Sequence, residues 1–208
     1  MAASEPRHHD ATPWYLPLLR AVPALVLAAV VTFSQDHSAP VGSYAFGVFA
    51  VIAAVLWAVD AALAGSVERV VAAIAAIVSL IGGVAALVAP QAGLSYLVFV
   101  ASGVFAVTGF LELYLGLRRR PRDTVGRDRI FVGGLTAVMA IALLVIPPDY
   151  SRPLGGIEQV PGELTASVMV VGALGAFWAI FGVYLVIAGL SLKWGTSPAP
   201  ARTEEVAG

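Results

Sequence analysis

Between Val70 and Ala89 the chain reads VVAAIAAIVSLIGGVAALVA, an unbroken apolar run without a single charge. About 20 such residues are what a helix needs to cross the hydrocarbon core of a bilayer. Cutting the rest of the sequence at charges, prolines and polar clusters gives six runs of this kind. They lie near 15–34, 42–64, 69–89, 93–117, 129–147 and 164–193. Composition points the same way. The chain is 59% hydrophobic and only 12% charged, where soluble domains are about 45–50% apolar and about 25% charged. The expected fold is all-α: a polytopic membrane helix bundle over residues 15–193. Residues 1–14 are expected as a cytoplasmic tail and 194–208 as a disordered cytoplasmic tail with no lipidation or retention signal. The first run is the weakest, because Arg20 interrupts it and AVPALVLAAVVTF behind it has the length of a signal-peptide core. No small-x-small cleavage site follows, so it is read as a retained span.

Charge sets the orientation. Six of the 12 Lys and Arg residues fall in RRRPRDTVGRDR at 118–129. With the N-terminus inside, Arg7, Arg20, Arg69, this cluster, Lys193 and Arg202 all lie on the cytoplasmic side, and Arg152 alone lies outside. Such a bias places both ends in the cytoplasm. A nucleic-acid site is excluded by the net charge of −1 and by the short turn holding the cluster. Arg118, Arg119, Arg120, Arg122, Arg127 and Arg129 read instead as topology anchors that attract anionic inner-leaflet lipid, at about 1 kcal/mol per basic residue near the surface. Pro121 and Gly126 are expected to keep the segment non-helical.

GVFAV occurs at 47–51 and again at 103–107, each time after a proline-bearing turn and a Ser-Tyr: APVGSY at 39–44 and APQAGLSY at 89–96. IPPDY at 146–150 supplies a third such turn. The economical arrangement is three tandem helical hairpins, as parallel repeats about an axis along the membrane normal. Small residues recur every four positions at Ala75, Ser79 and Gly83, at Gly133 and Ala137, and at Gly172 and Ala176. These stripes are read as packing within one bundle, with a homo-oligomer contact as the alternative.

The second hairpin resembles the HdeD-like family of small bacterial membrane proteins. The resemblance rests on GGVAALVAPQAG running into GVFAVTGFLELYLGLRRR, with Pro90, Gly109, Glu112-Leu113, Gly116 and Arg118–Arg120 as its marks. The first hairpin has Leu56 where the repeat would place Glu112, and Asp60 one turn later. The resemblance implies six helices in hairpin repeats in a bacterial plasma membrane, and a non-enzymatic protein connected with acid or envelope stress.

Asp60 and Glu112 are the acids that lie within the runs away from their ends. An ionisable group at membrane depth is a functional hypothesis by default. At 1.5 Å per residue both sit roughly 8–9 Å from the cytoplasmic end. They read either as inner-leaflet salt bridges to Arg69, Arg118 or Arg119, or as a protonatable carboxyl pair. His37, beside Asp36 in the first outer turn, is a candidate pH-sensitive group, since histidine titrates near neutrality. His8 and His9 lack a framework for metal ligation and read as a solvated tail. The segment 147–164 is acidic and rich in proline and glycine, suited to an outer-face partner or a plain lid.

No nucleophile, metal or phosphate-loop motif is present and cysteine is absent, so no catalytic, cofactor or metal site is expected. The functional expectation is an HdeD-like stress protein acting through helix packing and contacts with lipid or protein. Its alternatives are an accessory subunit of a larger membrane complex, and a small proton-linked transporter or channel using Asp60 and Glu112. Because the chain has no cysteine, a single Cys at position 125 is expected to resist an impermeant maleimide applied to intact cells. Labelling there from outside would reverse the orientation.

Overall fold

The computed structural model describes residues 13–119, 124–153 and 163–195. It contains six helices long and apolar enough to span a membrane: α1 (Tyr15–Phe33), α2 (Ala39–Leu63), α3 (Ser66–Val88), α4 (Leu94–Arg118), α5 (Thr124–Val145) and α6 (Ala166–Gly195). Helices are the natural outcome for these runs, because in hydrocarbon each backbone N–H and C=O must find its partner within the segment. The protein is therefore a multi-pass membrane protein.

Local chemistry sets the helix limits. Pro40 sits in the first turn of α2, where a missing N–H costs nothing, so the helix starts at Ala39 rather than near 42. Between α3 and α4 a 3-10 turn, Pro90–Ala92, leads to Gly93. Its φ of +93° is a conformation that L side chains rarely adopt. The largest departure is at α5, which begins at Thr124 and takes Val125–Arg129 into its first turns. Gly126 does not break this helix. It is buried there, and a Cβ on the facing Gly116 of α4 would lie 2.9 Å from the Gly126 carbonyl oxygen. The third proline turn carries a small antiparallel pair, β1 (Ser151–Pro153) with β2 (Glu163–Thr165), in register Arg152 to Leu164. The Ala166 N–H, donating to Tyr150 O at 2.8 Å, closes it onto α6. Residues 154–162, the middle of the expected outer segment, lie outside the described residues.

The helices run as sequential hairpins, but the most intimate packing is offset by one helix. α2 packs along α3, α4 along α5, and α6 along α1. The cause lies in where the small residues fall. Gly109 and Gly116 on α4 face Gly133 and Gly126 on α5, and in α6 Gly175, Gly182 and Gly189 face α1. The seven-residue spacing returns to the same helix face every two turns. Gly47 and Gly83 bring α2 and α3 together in the same way, and a Cβ on either would lie 3.0 Å from the other's carbonyl oxygen. Of the small-residue stripes, Ala75-Ser79-Gly83 and Gly133 are buried in these seams, whereas Gly172 and Ala176 face outward.

The second helix of each hairpin also lines the centre. There the repeated Phe49 and Phe105 are joined by Phe46, Phe177, Trp178 and Phe181. Phe105 lies 4.9 Å from Phe177 and Phe49 lies 5.4 Å from Trp178, centroid to centroid, within the range of favourable ring pairs. The outer faces carry exposed aliphatics such as Val26 and Val30 on α1, Ile77 and Ile81 on α3, and Ile180 and Ile187 on α6.

Two adjacent glycines test the seam. A Cβ on Gly133 would meet the Leu113 nitrogen at 2.6 Å, whereas one on Gly134 meets nothing within 4 Å. Gly133→Ala is expected to destabilise the bundle by about 1–3 kcal/mol. Gly134→Ala is expected to be neutral or slightly stabilising. Denaturant titration in detergent, followed by circular dichroism, measures both.

Candidate functional site

The chemistry gathers at the arginine-rich end of the bundle. Arg20, one turn inside α1, reaches Glu112 of α4 with both guanidinium nitrogens: Nη1 to Oε1 at 3.1 Å and Nη2 to Oε2 at 3.0 Å. Glu112 is 3% exposed. The guanidinium carbon also stands 5.0 Å from the Trp57 ring centroid and 5.8 Å from that of Phe181. A planar fork on a carboxylate, flanked by aromatic faces, is a favourable setting for a guanidinium.

Two further pairs lie at the same end. Arg129 of α5 donates through Nη2 to Asp60 of α2 at 2.8 Å. Its buried Nη1 has no hydrogen-bond partner among the described residues. Arg119, just past α4, makes a two-pronged contact with Glu68 of α3, at 3.2 and 2.9 Å. Asp128 of α5 accepts a 2.7 Å bond from the Tyr184 hydroxyl of α6, whose ring stacks on Phe131. Each of the six helices thus contributes to at least one charged or charge-assisted contact with another.

These partners differ from those suggested by the sequence. Arg119 is the C-cap residue of α4, with extended backbone (φ −73°, ψ 145°), which turns it off the Glu112 face and toward α3. Arg118 bonds the Tyr114 hydroxyl at 3.1 Å, and Arg69 bonds the Ala64 carbonyl at the end of α2. The acid inside α4 is met instead by the basic residue inside α1. Asp60 and Glu112 line a common cavity, but each is engaged by its own arginine rather than by the other. Arg127 is exposed, and Arg120 and Arg122, with Arg7, His8, His9 and Arg202, lie outside the described residues.

Two cavities flank the Arg20–Glu112 pair. The inner one, ≈ 50 Å³, lies in the bundle centre among Phe46, Phe49, Phe105, Phe177 and Phe181. The other, ≈ 60 Å³, lies toward the basic end and is lined by Asp60, Asp128 and Arg129 among others. Arg20, Leu56, Trp57 and Glu112 form the wall they share. At the opposite end His37 is half-buried in the α1–α2 turn. Beside it the Ser38 N–H, donating to Asp36 at 2.8 Å, holds the Asp36 carboxyl below its usual range. Among the described residues no three His, Asp or Glu side chains come together as metal ligands.

Residues 74–145 match the family described as DUF308, a short repeat of unknown function. The match runs from within α3 to the end of α5 and contains Glu112, Arg119 and Arg129. No curated protein and no solved structure matches this chain.

Burial separates the pairs energetically. Arg20→Gln strands the carboxylate of Glu112 in the bundle and is expected to cost about 3–5 kcal/mol. The double variant Arg20→Gln/Glu112→Gln is expected to recover much of that loss. Glu68→Gln, in a pair whose side chains are 24% and 30% exposed, is expected to cost under about 1 kcal/mol. Unfolding free energies in one detergent give the comparison.

Proposed function

We propose that this is a non-enzymatic, HdeD-like protein of the bacterial inner membrane, with both termini cytoplasmic. It acts at the envelope under acid or related stress, through contacts with lipid and with other membrane proteins. The matched short repeat supports the reading, since that family covers HdeD-like membrane proteins. The observation that carries it is the layer of interhelical ion pairs at the basic end, Arg20–Glu112, Arg119–Glu68 and Arg129–Asp60. Pairs of this kind make the helix arrangement conditional on ionised carboxylates. The same layer keeps arginines at one membrane surface, where anionic headgroups attract them.

A second reading, a small proton-linked transporter using Asp60 and Glu112, draws on the two cavities that meet at Glu112. The engagement of each carboxylate by its own arginine favours the first reading. Deletion of the gene in its native host is expected to lower survival after acid challenge. Wild-type protein restores survival, and the Glu112→Gln protein at equal abundance does not. Unchanged survival on deletion would remove the stress role. Proton flux in proteoliposomes that disappears with Glu112→Gln would establish the transporter instead, and a stoichiometric partner in mild detergent would establish an accessory subunit.

A further inference from the structure

The inner cavity has an unusual combination of walls. Its sides are lined by Phe46, Phe49, Phe105, Phe177 and Phe181, and among the described residues the acid that lines it is Glu112. At ≈ 50 Å³ it exceeds the roughly 10–15 Å³ that a single water requires. Away from the Arg20–Glu112 pair its polar lining is sparse: Ser79, and the hydroxyls of Thr108 and Thr136, which donate to helix carbonyls, Val104 O at 2.7 Å and Val132 O at 2.8 Å. An occupant with an apolar body and a positive charge suits such a space better than water or an anion does.

The protein already places such a group at the mouth of the cavity. The Arg20 guanidinium is an organic cation held by Glu112 and flanked by the rings of Trp57 and Phe181. The charges that line the two cavities do not cancel among the described residues. Among the described residues, the two cavities are lined by three carboxylates, Asp60, Glu112 and Asp128, and by two guanidiniums, Arg20 and Arg129. The neighbouring Glu68 is paired with Arg119, and Arg127 is exposed. Asp128 is met by a neutral partner, the Tyr184 hydroxyl. Arg20 borders both cavities, and Asp128 lines the second of them.

We propose that the aromatic cavity is a binding site for a small organic cation, a protonated amine or a quaternary ammonium. The ligand takes the place of the Arg20 guanidinium against Glu112, while Arg20 turns into the cavity at the basic end, toward Asp128. Arg20 is then a built-in competitor that keeps the site closed until the ligand arrives.

The probe is tetramethylammonium chloride, added to the full-length protein in detergent and followed by tryptophan fluorescence and thermal shift. Trp57 lies in the shared wall and reports directly. A saturable change is expected, at roughly millimolar concentration, which neither sodium chloride nor the neutral tert-butanol reproduces. Arg20→Gln removes the competitor and is expected to tighten binding by roughly tenfold or more. If that variant fails to fold, two others carry the test. Asp128→Asn removes the alternative seat for Arg20, and Phe105→Leu removes an aromatic face; both are expected to weaken binding severalfold. Equal binding of tert-butanol would show a merely apolar void and overturn the proposal. So would the absence of saturation in the wild type, or affinity unchanged in both Asp128→Asn and Phe105→Leu.

Discussion

Lipid tails are as apolar as leucine, so burying one greasy helix face against another gains almost nothing in a membrane. Whatever holds these six helices together must be something lipid cannot supply. The structure uses two such interactions. One is backbone-to-backbone approach over glycine, as where Gly109 and Gly133 let α4 and α5 touch. The other is charge attraction across helices in a medium that screens it weakly, as in Arg20–Glu112. The aromatic centre follows from the first. With each second helix drawn tightly to the outer helix of its seam, the space between α2, α4 and α6 is left for large rings, which fill it incompletely.

Much of this is legible in the sequence, and the reasons are physical. Six spans can be read because the thickness of the hydrocarbon core sets a length that few other constraints impose. The repeat GVFAV marks two of the helices that reach the centre. The seams are harder to read. In a chain with 21 glycines and many alanines, stripes of small residues occur on several faces, and only some face a neighbour. Gly133 lies in a seam while Gly172 faces outward, although both follow the same four-residue spacing. The extent of α5 is misread for a related reason. Gly126 reads as a helix breaker by propensity, but contact with Gly116 gives it a place inside a helix.

The candidate site divides along the same line. Asp60 and Glu112 stand out because charge inside an apolar run is costly, and both take part in interhelical pairs. Their partners are not obvious, because nearness along one helix is a poor guide to pairing across a bundle. Arg20 carried the needed signal. A basic residue inside one apolar run calls for an acid inside another, and Glu112 meets it across 92 positions of sequence.

That separation bears on how the protein is made. Helices enter the membrane in order, so α1 arrives with Arg20 well before α4 brings the acid that neutralises it. Until then the guanidinium can remain only near the headgroups, which its position one turn inside α1 permits. The α1–α6 seam forms later still, since it joins the first of these helices to the sixth. Assembly is therefore a matter of waiting. The earliest span keeps its charge near the headgroups, and that charge meets its acid only when the later spans arrive.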